Sequence, residues 1–384
     1  AEELAADIFR LNDQTSDVAV TNALCGVSGE LIDWLVGLGV PLEHMATYRY
    51  PGMSRSWLHS PPSRSGAPMI EALTKRAERH PAIALYTNTQ VIGLLSAAGG
   101  VSGAKVLQTD GTELTIHAEA VILAASGFGA NQVAVARYIP GMASAAYYGA
   151  PYATGDAIEW GQAVGGQLDY MGCYQAHSSI ASPELMLVTT YLINHGAFQV
   201  NQQGHRFGNE TETYAAHALS VQKQPGGIAI EVFDERILRQ TISEYPRFSE
   251  CLQAGIVHSA DTIEGLAAIF GVDEVALAAT TEKYNRSLDA GVDEFGRRHV
   301  GVALEAPYYG IRVTSALIQT LGGLRVDGHG RVLRADGTAG HGLYAGGGTA
   351  AGLAGNRSES YLAGTGLLAA FGLGLLAGRH AASN

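Results

Sequence analysis

Apolar residues recur with helical spacing near both ends of the chain. A first stretch runs from Ala1 to Leu38 and ends at Gly39, and Met69 to His80 forms a shorter amphipathic pattern. Near the other end, Asn356 to Gly378 predicts a long helix interrupted by several glycines. These glycines and the closing Arg379 favour a buried helix over a membrane span.

Strand patterns occupy the region between these helices. Ile83 to Leu95, Val101 to Gln108 and Glu113 to Ala118 are strand-like, and Asp110-Gly111 marks a hairpin between the last two. Ala120 to Ala125 is a short apolar run that ends in glycine, as a buried parallel strand does. This part of the chain therefore predicts an α/β arrangement.

The middle of the chain has a different, mixed pattern. Gly155 to Val164 predicts a short helix, and strands and helices then alternate until about Leu304. From Pro307 onwards the chain is rich in glycine. We therefore predict one domain formed by residues 1–168 and 305–384, with a second domain, residues 169–304, inserted into it.

Composition excludes several classes of protein. The 384 residues are 47% hydrophobic and 16% charged, which excludes a disordered chain. There are 24 Lys and Arg against 36 Asp and Glu, a net charge of -12. This balance argues against nucleic-acid binding and against docking on an anionic membrane.

Cysteine and histidine positions give no metal or disulfide pattern. Cys25, Cys173 and Cys251 are odd in number and widely spaced, which predicts buried thiols in a reducing, cytoplasmic compartment. We expect no metal site, because His, Cys and Asp never cluster with ligand spacing. His205 and Arg206 are expected on a turn after Gly204.

Two segments combine a strand with a glycine turn. One is Gly342 to Gly348, and the other runs from Leu123 to Asn131. A strand followed by a glycine turn and a helix can bind a phosphate or another polar edge of a cofactor. Taken singly, each is also an ordinary structural turn.

Taken together and in order, these segments resemble the FAD-dependent superfamily of fumarate reductases, soluble succinate dehydrogenase-like flavoproteins and 3-ketosteroid dehydrogenases. The similarity runs from about Thr15 to Arg379. The segments that carry it are VILAASGFGAN, TGDAIEWGQAVGG, GAFQVNQQGHRFGNE, PYYGIRVTSALIQTLGGLRVDGHGRVLRADGTAGHGLYAGGG and GNRSESYLAGTGLLAAFGLGLLAGRHAA.

The resemblance implies an α/β fold, an FAD-binding Rossmann-like domain with an inserted α+β capping domain, and a substrate held against the flavin between them. It implies FAD as the cofactor. The residues that the resemblance assigns to FAD are Val91, Ala124, Ser126, Gly127, Phe128, Asn131, Gly346, Gly347, Arg357, Ser360 and Leu362.

The sequence departs from the family at the cofactor. The family opens with a strand, a GxGxxG turn and a helix that bind the pyrophosphate, and no such segment precedes Ala120. Because the chain also starts at Ala1 rather than Met, we expect that this N-terminal segment has been lost from this sequence or is carried on another chain. Gly347 stands where the family has a glutamate.

The catalytic positions also differ from those of the fumarate reductases. Tyr214 replaces the arginine that delivers a proton, as in the 3-ketosteroid dehydrogenases, and Thr190 and Ile193 replace the proton relay. Ile318-Gln319 replaces a histidine pair. Only His177 and Arg357 of the carboxylate-binding residues remain. A dicarboxylate needs more fixed positive charge than one arginine, so fumarate and succinate are not expected substrates.

These residues predict an FAD-dependent oxidoreductase that forms or reduces a C=C bond next to a carbonyl. A tyrosine whose phenolate is stabilised can move the proton. Tyr214 is the expected acid/base, with assistance from Tyr309, and His177 and Arg357 orient the substrate. The expected substrate is a small apolar ketone or enone, and the electron partner is left open.

Two alternatives remain at this point. One is a reductase of an unsaturated monocarboxylate, with Arg357 as the carboxylate clamp. The other is a flavin-free fragment or scaffold protein, or one piece of a two-chain enzyme.

Overall fold

The structure, a computed structural model, describes residues 1–46, 50, 52–97, 99–298 and 302–383. The α-helices in these residues are α1 (Glu2–Leu11), α2 (Val18–Gly37), α3 (Ala67–Glu78), α4 (Gln132–Tyr138), α5 (Asp156–Ala163), α6 (Tyr191–Asn194), α7 (Tyr214–Gln222), α8 (Glu235–Glu244), α9 (Ser249–Gln253), α10 (Ile263–Phe270), α11 (Glu274–Ala290) and α12 (Thr365–Ala382).

The strands are mostly short. They are β1 (Glu43–His44), β2 (His59–Ser60), β3 (Thr89–Ala97), β4 (Gly100–Gln108), β5 (Glu113–His117), β6 (Val121–Leu123), β7 (Ala146–Tyr147), β8 (Leu168–Asp169), β9 (Tyr174–Ala181), β10 (Phe198–Val200), β11 (Ile228–Asp234), β12 (His258–Ala260), β13 (Tyr308–Thr320), β14 (Gly323–Leu324), β15 (Arg331–Leu333) and β16 (Ala339–Ala345).

The chain divides into two compact units. The first contains residues 1–140, 149–175 and 319–384, and the second contains residues 141–148 and 176–318. The unit boundaries therefore differ from the predicted 168/169 and 304/305. The reason is that most of β9 and β13 belong to the sheet of the second unit, and that β7 pairs with β13.

The first unit is built on a sheet with β16 at its centre. β16 runs parallel to β6, with Leu343 opposite Val121 and Ala345 opposite Leu123, and antiparallel to β15. β3, β4 and β5 form an antiparallel meander, which confirms the predicted hairpin at Asp110-Gly111.

The apolar run around Val121 is a parallel strand, as predicted, but it is not fully buried. Ile122 is 39% exposed. β6 pairs with β16, and among the described strands it has no second partner. Among the described strands, one edge of β6 is therefore unpaired, and the Ile122 side chain on a face of the sheet is partly exposed.

The two predicted glycine turns meet in the first unit. A Cβ atom on Gly127 would lie 2.0 Å from the Thr320 Oγ1 and 3.2 Å from the carbonyl oxygen of Gly348. A Cβ on Gly348 would lie 2.7 Å from the Gly127 nitrogen. Two backbone segments can approach this closely only where neither carries a side chain.

The predicted helix from Ala1 to Leu38 is wrong in one respect, because it breaks between α1 and α2. The Asn12 side chain donates to the Leu353 carbonyl oxygen over 3.0 Å, and the Asn356 backbone N–H donates to the Thr15 Oγ1 over 2.9 Å. Asp17 then caps α2 by accepting from the N–H groups of Ala19 and Val20.

The last helix also begins later than predicted. α12 starts at Thr365 rather than near Asn356, because Gly364 at its N-cap adopts a left-handed conformation with φ of 88°. Residues 356–364 instead form a loop with one short 3-10 turn at Ser358–Ser360.

The second unit packs helices against a mostly antiparallel sheet, in which β7 runs parallel to β13. The strand order is β10-β11-β13-β12, with β13 also pairing with β7 and β9. A core of fully buried side chains, including Phe198, Phe233, Leu266 and Val313, joins this sheet to α8, α10 and α11. This sheet includes β9 and β13, which carry His177 and Tyr309.

Substituting Gly127 by Ala tests the close approach of the two turns. We expect a loss of about 1–3 kcal/mol in the free energy of unfolding, because the new methyl group displaces Thr320. Gly374→Ala is the matched control: its Cβ meets nothing within 4 Å in α12, so stability is unchanged or rises by about 0.5–1 kcal/mol. Urea unfolding of both variants measures the difference, and equal midpoints would contradict the steric argument.

Candidate active site

Threonine hydroxyls join the predicted cofactor residues that follow β6. The Ala125 N–H donates to the Thr349 Oγ1 over 3.1 Å, and this hydroxyl donates to the Ser126 carbonyl oxygen over 2.8 Å. The Phe128 N–H donates to the Thr320 Oγ1 over 3.1 Å. Ser126, with φ of 65°, and Ala124 are exposed. The structure thus brings Ala124, Ser126, Gly127 and Phe128 to one turn, of which Ala124 and Ser126 are exposed.

Gly346 and Gly347 lie beside that turn. The Gly346 N–H donates to the Leu123 carbonyl oxygen over 2.9 Å, which ties β16 to the end of β6. Gly347 has φ of 59°, a conformation that favours glycine over a residue with a side chain. The glutamate that the family has at this position would be strained in this backbone.

Three other predicted cofactor residues have structural contacts. The Asn131 Oδ1 accepts from the Ala134 N–H over 3.0 Å and so caps α4, and its Nδ2 donates to the Thr154 carbonyl oxygen. Phe128 is buried. Val91 is 37% exposed in β3, opposite Val106. Their contact with a cofactor stays a prediction.

The loop before α12 carries the remaining residues predicted in the first unit. Arg357 is partly exposed and forms an ion pair with Asp13. The Ser360 hydroxyl is buried and lies 2.7 Å from the Ala354 carbonyl oxygen. Leu362 is buried as well. Of these three, only Arg357 presents a charge near the surface.

Tyr361 was missed by the sequence analysis. Its buried hydroxyl group is hydrogen-bonded to the backbone at Gly364 and Gly366, in the first turn of α12, and to the Gln319 side chain. Burial raises the pKa of this phenol, and those hydrogen bonds act in the opposite direction. Its position just ahead of a helix that begins at glycine was the available signal.

A cavity of about 610 Å³ lies beside the start of α12. Its walls are mainly apolar and include Leu31, Trp57, Met69, Leu368 and Phe371. This volume lies within the range of small-molecule and cofactor pockets, roughly 300–1,000 Å³.

The predicted catalytic residues divide between the units: Arg357 lies in the first, and His177, Tyr214 and Tyr309 lie in the second. Tyr214 is the first residue of α7, and its side chain lies outside the described part of the structure. The Tyr309 ring stacks on Phe233 with centroids 5.8 Å apart. This contact is a packing interaction within the core of the second unit.

His177 lies in β9 and is buried. Its Nδ1 accepts a hydrogen bond from the Ser179 N–H over 3.0 Å. Burial lowers the pKa of this imidazole to about 4, against which the Ser179 hydrogen bond has a smaller raising effect. At neutral pH the ring is therefore uncharged, and with Nδ1 accepting, its proton lies on Nε2.

The expectation for Arg206 is wrong, because it lies in a buried ion cluster rather than on an open turn. Its guanidinium contacts the Glu210 carboxylate at 2.7 Å and Asp293 at 2.7 Å. Arg297 contacts Glu210 at 2.9 Å. Burial by itself raises the pKa of Glu210, but Arg297 and Arg206 lower it to about 2. Both arginine charges are thus balanced inside the fold.

Comparison with known proteins identifies the family. The model of the FAD-binding domain family matches residues 2–365. The chain is 33% identical over 374 residues to the NADH:acrylate oxidoreductase of Vibrio harveyi, covering 94% of this chain and 36% of that protein. It is 29% identical over 384 residues to the fumarate reductase (cytochrome) of Shewanella frigidimarina, covering 99% and 66%.

Solved structures agree with this assignment. An open conformation of a flavocytochrome c3 fumarate reductase matches with a TM-score of 0.83 at 27% identity, covering all of this chain and 67% of that one. A 3-ketosteroid-Δ4-(5α)-dehydrogenase shares the fold, with a TM-score of 0.74 at 22% identity, covering 100% and 84%.

The fold and the paired glycine turns define a flavoprotein of the α/β class. The chain belongs to the FAD-binding domain family, which confirms the predicted superfamily, fold class and cofactor. It spans 36% and 66% of the length of the two relatives named above.

The residues present fit the flavin end of FAD. The exposed turn at Ser126 and the Gly347 turn lie side by side and present backbone to a polar edge of the cofactor. The cavity beside the start of α12 is lined by other residues and is large enough for a planar ring. Within the described residues, no strand precedes β6 with a GxGxxG turn and a helix. The pyrophosphate end of the cofactor is therefore not accounted for by these residues.

Glu210→Gln tests the buried ion cluster. We expect a loss of about 3–5 kcal/mol at pH 7, because two buried guanidinium groups lose a shared anion. Because the native pKa of Glu210 lies below its ordinary value, this stabilisation is present above about pH 4.5 and is lost as the pH falls towards 2.

The control for this prediction is Glu212→Gln, two residues further along in the same segment and exposed. It should leave the urea midpoint at pH 7 unchanged. A Glu210→Gln protein as stable as the wild type would show that the cluster contributes nothing to folding.

Proposed function

We propose that this chain acts in an FAD-dependent oxidoreductase that forms or reduces a C=C bond adjacent to a carbonyl. Membership of the FAD-binding domain family carries the proposal, together with the identity of the residues at the catalytic positions. The bound flavin supplies hydride exchange with one carbon of the double bond. The protein must then orient the substrate and move a proton at the neighbouring carbon.

We assign the proton transfer to Tyr214. Its place at the start of α7, where the reductases have an arginine, supports this assignment. A phenol has a pKa near 10, and a carbonyl next to the reacting carbons makes the α-proton acidic enough for a weak base. Tyr309 is the weaker candidate, because its ring packs against Phe233.

The charge states of the predicted substrate-orienting residues, His177 and Arg357, support a substrate with little negative charge. His177 is a neutral hydrogen-bond donor, because burial lowers its pKa to about 4. Arg206 and Arg297 are balanced by Glu210 and Asp293. Arg357 pairs with Asp13. A small ketone or enone, polarised at its oxygen by neutral donors, suits this set better than a dicarboxylate.

A second candidate is the reduction of an unsaturated monocarboxylate. The likeness to an NADH:acrylate oxidoreductase at 33% identity favours it. In this case Arg357 would exchange Asp13 for the substrate carboxylate, an arrangement that suits its forked guanidinium.

The three cysteines, each a buried thiol, are compatible with a reducing, cytoplasmic location.

The absorption spectrum of the purified protein, alone and with added FAD, is the first test. A bound flavin spectrum supports the proposal, and a protein that stays colourless with FAD overturns it in favour of a scaffold role. The holoprotein, reduced chemically under anaerobic conditions, is then offered cyclohexenone-type enones and acrylate. Reoxidation by the enone alone supports the first candidate, and reoxidation by acrylate alone supports the second.

Tyr214→Phe should retain the flavin spectrum and lower kcat by at least about 100-fold, which is the usual contribution of a positioned acid or base. KM should change little, because the ring is kept. Tyr152→Phe is the matched control, since Tyr152 is 87% exposed, and should react at the wild-type rate. Equal turnover of the two variants would exclude Tyr214 as the acid/base.

A further inference from the structure

A buried polar network in the second unit has Glu231 at its centre. Glu231 lies in β11, fully buried, directly opposite Gln199 of β10. Its Oε2 accepts from the Ser179 hydroxyl over 2.7 Å and from the Gln199 Nε2 over 2.9 Å. Its Oε1 has no hydrogen-bond partner among the described residues. Burying a carboxyl group with one oxygen unpaired costs free energy, so its presence here suggests a function.

One arm of this network ends at His177. Ser179, whose hydroxyl donates to Glu231, also donates its backbone N–H to the Nδ1 of His177 over 3.0 Å. The Gln199 amide reaches the same strand, with its Nε2 2.9 Å from the Ser179 Oγ. Glu231 therefore acts on the residue that selects the protonated nitrogen of His177.

The other arm ends at helix α7. The Gln199 Nε2 donates to Glu231, so its Oε1 faces the Nε2 of His217 at 3.0 Å and accepts from it. The Nδ1 of His217 has no hydrogen-bond partner in the described part of the chain. His217 lies in the first turn of α7, which begins at Tyr214, so Gln199 is hydrogen-bonded to the first turn of this helix.

We propose that Glu231 is a positioning residue for the reaction. Through Ser179 it holds the imidazole of His177, and through Gln199 and His217 it holds the start of α7. This inference rests on the proposed function, in which His177 orients the substrate and Tyr214 moves the proton. Glu231 itself lies in the core of the second unit and needs no contact with substrate.

The protonation state of Glu231 gives this role a pH dependence. Burial raises the pKa of its carboxyl group to about 7, the hydrogen bonds from Ser179 and Gln199 lower it, and the nearby Glu210 raises it. Arg297 has a lowering effect, and Cys251 of α9 also faces it. The carboxyl group is thus neutral in mildly acidic solution and becomes a buried anion as the pH rises through 7.

The ionisation of Glu231 also affects the stability of the fold. A native pKa above the ordinary value means that the folded protein binds the extra proton, so this contribution to stability is present below about pH 4.5 and is lost as the pH rises through 7. His177 and His217, whose pKa values burial lowers to about 4, act in the opposite direction below about pH 6.5. A variant of Glu231 alone separates the two effects.

Glu231→Gln in the holoprotein is the decisive variant. We expect the kcat/KM of the wild type to fall between pH 6 and 8.5, as Glu231 becomes an anion. Because Gln keeps the shape of the neutral acid at every pH, the kcat/KM of the variant should stay constant over this pH range. Glu231→Ala, which removes the acceptor, should lower kcat about tenfold at pH 6. Thr241→Val is the control, because this buried hydroxyl has no hydrogen-bond partner in the described residues and lies outside the network. Its pH profile should match that of the wild type.

A second measurement does not need turnover. In protein labelled with ¹⁵N-histidine, the ring nitrogens of His177 and His217 should report the Nε2–H tautomer at pH 6 and shift towards pH 8.5 in the wild type but not in Glu231→Gln. Histidine signals that stay constant in the wild type over this range would overturn the positioning role.

These readouts separate the two proposals. A flat wild-type pH profile with normal C=C reduction, together with unchanged histidine signals, rejects the role of Glu231 and leaves the proposed function intact. A flavin-loaded protein that reduces no C=C acceptor at any pH rejects the proposed function. The histidine titration then still shows whether Glu231 sets the two rings.

Discussion

The backbone contact between the two glycine turns is the constraint on which the first unit depends. Gly127 follows β6 and Gly348 follows β16, more than 200 residues later in the sequence. A hydrogen bond from Thr349 to Ser126 joins the same two segments. The contact requires the parallel pairing of β6 and β16, and it places Thr320 at the end of β13 against the same turn. The glycines therefore serve first to close the fold, and the exposed backbone at Ser126 is a consequence of that closure.

Much of this arrangement could be predicted from the sequence, because its determinants are local. The Asp110-Gly111 turn, the β6 strand and the α5 helix each follow from a few neighbouring residues. The family motifs extended these predictions to the cofactor and to the fold class. The side-chain roles at the candidate site, by contrast, stay predictions for Tyr214, His177 and Arg357.

What the sequence could not show depends on distant partners. The break between α1 and α2 is set by the Leu353 carbonyl oxygen and the Asn356 N–H, more than 300 residues away. The local sequence predicts Arg206 on a turn, because its partner Asp293 and the neighbouring Arg297, which contacts Glu210, are distant in sequence. Tyr361 could not be singled out from the sequence, because its hydroxyl group interacts with the backbone at the start of the following helix. Each of these misses concerns a polar group whose partner is distant in sequence or is a backbone atom.

The edge of β6 that pairs with no other described strand has a consequence for handling the protein. A strand that pairs on one side presents a row of backbone donors and acceptors on the other, and the exposed Ile122 adds apolar surface to β6. Elsewhere in the same sheet, Leu114 and Ile116 of β5 are also exposed. Such an edge is a template for pairing with a second polypeptide chain. Pairing through this edge would increase with protein concentration, and the net charge of -12 provides a repulsion that opposes self-association at low ionic strength.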